Sequence, residues 1–345
     1  MGTSHARAYQ AMPEFAIAGF VSRGAASRKR LNAEFGGKYA EFSDYADALA
    51  KTRPDAVCIS TYTETHADYA VAALESGAHV FLEKPVADTI AGAERVVAAA
   101  RRAKKALVVG YILQVHPSWR KFTELARTLG TPLVMRMNLN QQSDGANWAT
   151  HRNLLRSTSP IVDCGVHYVD VMCRMTGSRP VSVNGIGARL AGDATAQGNY
   201  GHLQVAFEDG SIGWYEAGWG PMMSETAYFV KDVIGPKGSV SIVAANAAGA
   251  GKSANLEAHT SAEALLVHHA DLRADGSFAR KDEMIRLDDE PGHDELCRRE
   301  QQVFLQAIQG GVDLEPHWTS ALDSLRIVLA ADQSAREGRT VRLTA

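Results

Sequence analysis

Short apolar runs alternate with longer, helix-length stretches over the first third of the chain. The apolar runs of strand length lie at residues 15–21, 55–60, 79–82 and 106–110. The stretches predicted as helices are 3–12, 25–36, 44–50, 65–76 and 88–103. Nearly continuous apolar strands that alternate with helices are typical of a parallel sheet covered on both faces. The pattern therefore predicts an α/β domain over residues 1–110.

The pattern changes after Gly110. Residues 132–140, 201–207 and 211–219 alternate apolar and polar positions, and the step at 208–210 has the composition of a hairpin turn. Helices are predicted at 117–129, 160–176, 293–309 and 318–336, a last strand at 340–343, and a mobile loop at 244–262. We therefore expect residues 111–345 to form an α+β domain with a largely antiparallel, open sheet.

Length, charge and cysteine content narrow the class of protein. A chain of 345 residues is long enough for two domains. The net charge is −3 and the basic residues are scattered, so we expect no nucleic-acid or membrane partner. No apolar run approaches the roughly 20 residues of a membrane helix. The 4 cysteines form no CxxC pair, which favours a reducing compartment, and we predict a cytoplasmic protein.

Hydroxyl side chains follow the strand predicted at 55–60. Ser60, Thr61 and Tyr62 lie at its carboxyl end, and His66 lies in the next helix. Ligands of open parallel sheets bind at this edge, and the N-terminus of a helix favours phosphate. We expect a cofactor contact here. The alternative is that the neighbouring Thr65 only caps the helix.

A charged tripeptide, Glu83-Lys84-Pro85, ends the next predicted strand. Lys84 is expected to project from the same edge of the sheet, and Pro85 holds the residue before it extended. A lysine donates hydrogen bonds to a substrate hydroxyl and to the alkoxide that develops as hydride leaves. The alternative is a surface Glu-Lys pair before a helix.

Three ionisable residues share one stripe of an apolar helix. Asp163, His167 and Asp170 stand at positions i, i+4 and i+7 of the helix predicted over 160–176. A histidine one turn from a carboxylate is a tunable proton acceptor near neutral pH. Two alternatives are a structural Asp–His pair in the core and a metal site, since this spacing suits metal ligands. No third clustered ligand is apparent, and we predict no metal.

Ser22 and Arg23 follow the strand predicted at 15–21. In dinucleotide folds an acidic residue at this place binds the ribose 2′-hydroxyl. An arginine instead matches a 2′-phosphate by charge and geometry, which favours NADP over NAD. The alternative is an ordinary surface arginine.

The order and separation of these motifs resemble the Gfo/Idh/MocA oxidoreductase family. The resemblance rests on residues 58–85, 160–170 and 333–343 and covers nearly the whole chain. It implies a Rossmann-like dinucleotide-binding domain over residues 1–110 and a substrate-binding and oligomerisation domain over 111–345. It also implies NADP or NAD as cofactor, and a homodimer or homotetramer formed through the sheet of the second domain. Trp214 and Trp219 are candidates for that face, or for the core.

The resemblance also implies roles for single residues. Lys84 matches the lysine that contacts substrate and nicotinamide ribose, His167 the general base, and Asp163 the acid that binds substrate and tunes the base. Tyr111 and Gln114 match the stretch that enters the second domain, and Gln114 stands where the family usually has arginine. The predicted cofactor contacts are Gly2, Ser22, Arg23, Ser60, Thr61, Tyr62, His66, Glu83, Lys84 and Gln114. The predicted substrate contacts are Lys84, Tyr111, Trp148, His151, Arg152, Asp163 and His167.

The chain departs from the family at its start. The family opens with a strand and a glycine-rich turn that holds the pyrophosphate, whereas residues 1–6 resemble the last glycine, Gly2, and the helix after it. The first strand is normally central, so its absence would expose unpaired backbone groups. A misplaced start codon and a true truncation both explain this departure, and we expect the first.

These observations predict an NAD(P)-dependent oxidoreductase that acts on a carbinol or keto carbon of a sugar, cyclitol or anhydrosugar. The expected site lies between the two domains, with the substrate hydroxyl between Lys84 and His167. Two alternatives stay open. One is redox-assisted glycoside cleavage on the same scaffold, and the other is a non-catalytic protein that senses a sugar or nucleotide.

Overall fold

The computed structural model describes residues 1–192, 198–226, 230–243 and 252–343. It divides into two compact units. Unit 1 comprises Met1–Ile112 and Gly292–Leu322, and unit 2 comprises Leu113–Pro291 and Asp323–Ala345. The sequence analysis assigned all of 111–345 to one domain, whereas the structure groups Gly292–Leu322 with the first unit.

Most of the predicted helices begin and end close to the predicted positions, and the helix predicted over 160–176 is the exception. They are α1 Gly2–Ala11, α2 Ala25–Glu34, α3 Tyr45–Thr52, α4 His66–Glu75, α5 Ile90–Ala103, α6 Pro117–Thr128, α7 Gly145–Leu154, α8 Pro160–Asp163, α9 Gly165–Thr176, α10 Leu256–Thr260, α11 His293–Ile308 and α12 Glu315–Glu337. Side-chain caps explain several starts, because Asp44 accepts a hydrogen bond from Asp47 N at 2.8 Å and Thr89 accepts one from Gly92 N at 3.2 Å. None of the described helices combines the length and the apolar composition needed to cross a membrane.

The strands differ more from the prediction than the helices do. They are β1 Gly19–Val21, β2 Ala40–Phe42, β3 Ala56–Ile59, β4 His79–Glu83, β5 Leu107–Gly110, β6 Val134–Gln142, β7 Pro180–Ala188, β8 Tyr200–Phe207, β9 Ile212–Gly220, β10 Lys231–Gly235, β11 Gly238–Val243, β12 Ala264–His269, β13 Glu283–Arg286 and β14 Val341–Arg342. Only the last part of the strand predicted at 15–21 is a strand. Strands β2, β7 and β10–β13 were not predicted.

The parallel strands of unit 1 form two separate sheets. In the described residues β1 pairs with β2, and β3, β4 and β5 pair in that order, all in parallel. The prediction of parallel strands is confirmed. A cavity of about 1180 Å³ lies between the sheets and is lined along residues 15–21 and 55–59.

Residues of the C-terminal half complete the core of unit 1. Phe304 of α11 is fully buried against Phe81 of β4 and Val108 of β5. The indole of Trp318 donates a hydrogen bond to the carbonyl of Leu107 at 2.8 Å, and Val109 N donates one to His317 Nε2 at 2.9 Å. These contacts explain why Gly292–Leu322 groups with the first unit.

Unit 2 is built on one large sheet. Its order among the described strands is β13-β12-β11-β10-β6-β9-β8-β7-β14, and only the β6–β9 pair is parallel. The predicted turn between β8 and β9 is present, with Gly210 in the left-handed region at φ +83°. The prediction of a largely antiparallel sheet is confirmed. Trp219 is buried at 1% exposure, whereas Trp214 is half-buried.

Three expectations for unit 2 need correction. The single helix predicted over 160–176 is two helices, α8 and α9, that meet at Cys164. The segment 145–154, for which no helix was predicted, forms α7. Within the predicted loop 244–262, residues 244–251 lie outside the described part of the chain, but α10 is helical.

Candidate active site

One cavity of unit 1 collects most of the predicted cofactor residues. The same cavity that separates the two sheets extends past the carboxyl ends of β1 and β3. Its lining includes Gly2, Ser22, Arg23, Ser60, Thr61 and Tyr62. The sequence predicts Gly2 at the start of a helix and the other residues at strand ends, and the structure brings them all to a single cavity.

Gly2 and Ser60 approach each other closely at the cavity wall. A Cβ atom added to Gly2 would lie 2.8 Å from the hydroxyl oxygen of Ser60. Real Cβ atoms do not come this close to another heavy atom, so a larger residue at position 2 must displace Ser60. The start of α1 therefore lies against the end of β3, with its first backbone N–H groups beside the cavity.

Arg28 is a residue of this site that the sequence analysis missed. Its guanidinium donates hydrogen bonds to the backbone carbonyls of Ser22 and, at 3.1 Å, Arg23. Arg28 is half-buried and holds the loop after β1, while Arg23 itself is exposed. The sequence could have indicated this role, because Arg28 lies in the first turn of α2, directly after the loop that carries Ser22 and Arg23.

His66 bridges two loops instead of opening into the cavity. Its side chain is buried at 1% exposure, with Nδ1 2.7 Å from the carbonyl of Pro85 and Nε2 3.1 Å from the carbonyl of Thr61. Burial lowers the pKa of His66, although both carbonyls oppose that shift. The neighbouring Thr61 hydroxyl pairs with that of Thr65 at 2.7 Å. The surroundings of His66 fit a residue that positions these loops better than one that contacts a cofactor.

Glu83 is buried and paired through its side chain. His5 Nε2 lies 2.6 Å from its carboxylate. Burial alone would raise the pKa of Glu83, but the hydrogen bond from His5 and the charge of Lys84 outweigh it, and the pKa is lowered. Lys84, the next residue, is half-buried at the end of β4. Glu83 therefore anchors the strand end that carries Lys84.

In unit 2 the predicted base lies near the start of a packed helix. Ser159 caps α8 by accepting a hydrogen bond from Val162 N at 3.2 Å, and Asp163 ends that helix. His167 lies in the first turn of α9, and both ionisable side chains are half-buried. A Cβ atom on Gly165 would lie 2.9 Å from the ring of Tyr215, so this glycine lets α9 pack closely on β9.

Gln114 has a partner in α9. Its side-chain amide donates a hydrogen bond to Asp170 at 2.8 Å, and Asp170 is fully buried. The stripe predicted from the sequence is therefore divided. Asp163 ends one helix and is half-buried with His167, whereas Asp170 faces inward to Gln114.

The predicted wall residues Trp148, His151 and Arg152 all lie on α7. The ring of His151 stacks on that of buried Trp219, with centroids 4.6 Å apart. Burial lowers the pKa of His151, and the negative charge of nearby Asp163 opposes that shift. Arg152 lies over the ring of Trp148 at 6.0 Å. Of these residues, His151 is therefore the one that the structure places near Asp163.

Tyr111 is the other predicted substrate residue of unit 1. It is buried at 2% exposure, and its ring meets that of His317 edge-on at 6.2 Å. Each unit thus carries its own part of the predicted site: Lys84 and Tyr111 belong to unit 1, and the carboxylate, imidazole and α7 residues belong to unit 2.

Two family models together match almost the whole chain. A model of the oxidoreductase family with an NAD-binding Rossmann fold matches residues 1–111, and a model of that family's C-terminal alpha/beta domain matches residues 125–343. The chain belongs to the Gfo/Idh/MocA oxidoreductase family. The resemblance read from the sequence motifs is confirmed.

Relatives within the Gfo/Idh/MocA family carry several activities. The chain is 31% identical to the 4-carboxy-2-hydroxymuconate-6-semialdehyde dehydrogenase of Sphingobium sp. over 39% of this chain and 45% of that protein. It is 29% identical to the scyllo-inositol 2-dehydrogenase (NAD(+)) of Bacillus subtilis over 54% of this chain and 55% of that protein. The chain thus matches about half the length of these relatives.

A solved structure shares the fold over the whole chain. The WlbA dehydrogenase from Bordetella pertussis, in complex with NADH and UDP-GlcNAcA, superposes with a TM-score of 0.77 at 18% identity. The superposition covers 100% of this chain and 96% of that one. At this identity the likeness concerns the fold alone.

Membership of the Gfo/Idh/MocA family implies a nicotinamide dinucleotide, and the cavity residues of unit 1 fit one. The absent Cβ of Gly2 leaves room beside Ser60 at the start of a helix of 10 residues, where backbone N–H groups favour phosphate. Exposed Arg23 supplies positive charge after β1, where the ribose of a dinucleotide is bound. The backbone N–H groups at the start of α1 and the guanidinium of Arg23 are hydrogen-bond donors suited to phosphate and ribose oxygens.

Proposed function

We propose that this protein is an NAD(P)-dependent oxidoreductase that oxidises a carbinol carbon, or reduces a keto carbon, of a sugar, cyclitol or anhydrosugar. The observation that carries the proposal is the single cavity of unit 1 that collects Gly2, Ser22, Arg23 and Ser60. A cavity lined by a helix start, hydroxyls and an arginine suits a dinucleotide, and the family models support that cofactor.

NADP is the cofactor form that we favour. Arg23 is exposed and free to turn toward a 2′-phosphate, while Arg28 holds the loop in place. No acidic residue occupies positions 22–24, where a carboxylate for the 2′-hydroxyl of NAD is expected. When bound, the nicotinamide accepts or donates the hydride.

Side chains of the protein accept the proton of the substrate hydroxyl and stabilise the negative charge that develops on its oxygen. We assign the general base to His167, which takes the proton of the substrate hydroxyl. Lys84 donates a hydrogen bond to that oxygen and stabilises its negative charge as the carbinol hydrogen leaves. Asp163 binds substrate and favours the protonated form of the base. All three side chains are half-buried, which leaves them accessible to a substrate.

The substrate class is drawn from the relatives and from the polar side chains available. A scyllo-inositol 2-dehydrogenase and a UDP-N-acetylglucosamine 3-dehydrogenase are among the similar proteins, and both names specify polyhydroxylated substrates. Trp148, His151 and Arg152 are our candidates for the substrate-binding wall. They offer an apolar ring face and polar groups, which together suit a sugar ring.

A substrate screen tests this function. The protein is assayed for reduction of NADP and of NAD with cyclitols, aldoses and anhydrosugars, and for the reverse reaction with keto-sugars. We expect turnover with at least one polyol and a higher kcat/KM with NADP. Release of an aglycone from a glycoside with no net change in cofactor would favour redox-assisted cleavage. Cofactor binding without turnover over the whole panel would favour the sensing function.

We also propose that two copies associate through the open face of the sheet in unit 2. Ile212, Ile234 and Ile186 are exposed at 50%, 43% and 54%, and Val134 pairs with both Ile212 and Ile234 on neighbouring strands. An apolar row across three strands is costly in water. Light scattering on the purified protein should give the mass of a dimer or tetramer, and Ile212→Lys should shift it toward that of a monomer.

A further inference from the structure

A group of potential metal ligands is buried between α1 and α11. His5, Cys297 and Glu300 each offer one ligand atom, and these atoms all lie within 4.8 Å of one another. The exposed fractions are 0%, 0% and 3%. Nitrogen, sulfur and oxygen donors that converge in a buried place need a physical reason, because each polar group costs free energy when it leaves water.

Glu300 shows the strongest need for a partner. Both of its carboxylate oxygens are buried, and neither has a hydrogen-bond partner among the described residues. Buried polar atoms are almost always paired, so an orphaned carboxylate points to an ion, a water or a proton at this place. Its neighbour Gln301, by contrast, has a partner at each side-chain atom, Tyr9 at its oxygen and His5 at its nitrogen.

His5 is oriented as a metal-bound histidine would be. Its Nε2 lies 2.6 Å from the carboxylate of Glu83, and that short contact assigns the proton to Nε2. The lone pair is then on Nδ1, which faces α11 and lies 3.0 Å from the amide nitrogen of Gln301. A carboxylate that holds one ring nitrogen while the other faces a ligand cluster is the usual support of a metal-binding histidine.

The spacing on α11 places a fourth donor on the same stripe. His293, Cys297 and Glu300 stand at positions i, i+4 and i+7, which face one side of a helix. Cys297 Sγ lies 3.5 Å from His293 Nε2. Three donors thus come from one helix and one from α1.

We propose that this cluster is a structural site for a divalent zinc-class metal ion, with His5 Nδ1, Cys297 Sγ, a Glu300 oxygen and His293 Nε2 as ligands. Cys297 binds as the thiolate and releases its proton to solvent, and Gln301 gives up its contact with Nδ1. Thiolate and imidazole ligands select Zn²⁺ over Mg²⁺ or Ca²⁺. The ion would tie α11 to α1 and, through His5, to Glu83. The proposal does not depend on the proposed oxidoreductase activity.

Metal content and cobalt spectroscopy test this site. The full-length protein, prepared without a metal-affinity tag, is incubated with ZnSO₄, dialysed, and analysed by mass spectrometry for zinc per chain. It is then loaded with Co²⁺, whose thiolate bond gives a charge-transfer band in the near ultraviolet. The variants are Cys297→Ala and Glu300→Gln. The matched control is Cys173→Ala, since Cys173 is also a buried free cysteine but belongs to unit 2.

We expect about one retained zinc ion in the wild type and in Cys173→Ala. We expect loss of the cobalt band in Cys297→Ala, and zinc affinity lowered at least about tenfold in Glu300→Gln. Absence of retained zinc in the wild type, or a cobalt spectrum without a thiolate band, would overturn the proposal. Should Cys297→Ala fail to fold, the wild-type cobalt spectrum and Glu300→Gln still decide between the two results.

Discussion

The Nδ1 atom of His66 lies 2.7 Å from the backbone carbonyl of Pro85. This contact ties the start of α4 to the loop that follows Lys84, and the second ring nitrogen reaches Thr61 at the end of β3. One imidazole therefore joins two strand ends to which we assign cofactor and substrate contacts. His66 is a positioning residue for Lys84 and does not contact the reacting atoms. Its loss should therefore lower both the free energy of unfolding and kcat.

Replacing His66 by alanine tests this link. The variant removes the imidazole that lies between the two carbonyls and opens a hole in a buried place, so the free energy of unfolding should fall by about 1–3 kcal/mol. We expect kcat to fall as well, with little change in the pH profile. Chemical denaturation and steady-state kinetics provide the measurements. Glu75→Ala, on the exposed part of the same helix, is the control and should change stability by less than about 0.5 kcal/mol. An effect of His66→Ala no larger than that of the control would refute the link.

His259 should make unit 2 sensitive to acid. Burial lowers the pKa of His259 from its ordinary value near 6.5 to about 4, although its hydrogen bond to the carbonyl of Ser253 opposes that shift. The folded protein therefore binds this proton more weakly than the unfolded chain does. The free energy of unfolding should fall by up to about 3 kcal/mol as pH decreases from about 6.5 to about 4. Urea unfolding of wild type and His259→Gln across this pH range should show a flatter dependence in the variant, and equal slopes would contradict the assignment.

Gly165→Ala should destabilise the packing of α9 on β9. The added methyl group meets the ring of fully buried Tyr215 at 2.9 Å, and overpacking of this kind costs about 1–3 kcal/mol. Thermal unfolding measures the loss. Gly192→Ala is the matched control in the same unit, because a Cβ atom there has no neighbour within 4 Å among the residues that the structure describes. A melting temperature for Gly165→Ala equal to that of the control would show that the helix can shift at no cost.

Gly2→Ala should weaken the binding of NADP. Its Cβ atom would lie 2.8 Å from the Ser60 hydroxyl oxygen, so that hydroxyl must move from its place at the cavity wall. We expect Kd for NADP to rise at least about fivefold in a fluorescence titration. Because the clash is with the hydroxyl oxygen, Gly2→Ala should cost less affinity when Ser60 is already alanine. Additive losses in the double variant would mean that the two residues act independently.

Much of the fold could be predicted because local pattern and tertiary structure agree. The helices over 65–76 and 88–103 carry regular periodicity. The apolar run at 79–82 is a largely buried strand, and the run at 55–60 contains the half-buried strand β3. The strand at 15–21 was predicted too long. Within that run only Gly19–Val21 pair with β2 and form a ladder.

The sequence motifs predicted which residues belong to the candidate site, but they did not predict which of these residues contact one another. Periodicity alone treats 160–176 as one helix, and it cannot show that Asp170 turns inward to Gln114 while His167 stays half-exposed. The pairing of His5 with Glu83 joins residues 78 positions apart, and no local pattern indicates it. The same is true of the proposed ligand cluster, since His5 comes from α1 and Cys297 and Glu300 come from α11.

The direct test of the central claim is the turnover of Lys84→Ala and His167→Ala on a polyol substrate found in the screen. In the proposed function Lys84 stabilises the developing alkoxide and His167 accepts the proton of the substrate hydroxyl. We therefore expect kcat to fall at least about 10²-fold in each variant. Kd for NADP should stay close to that of the wild type in His167→Ala. Turnover near the wild-type value in both variants would contradict the assignment of the chemistry to these two side chains.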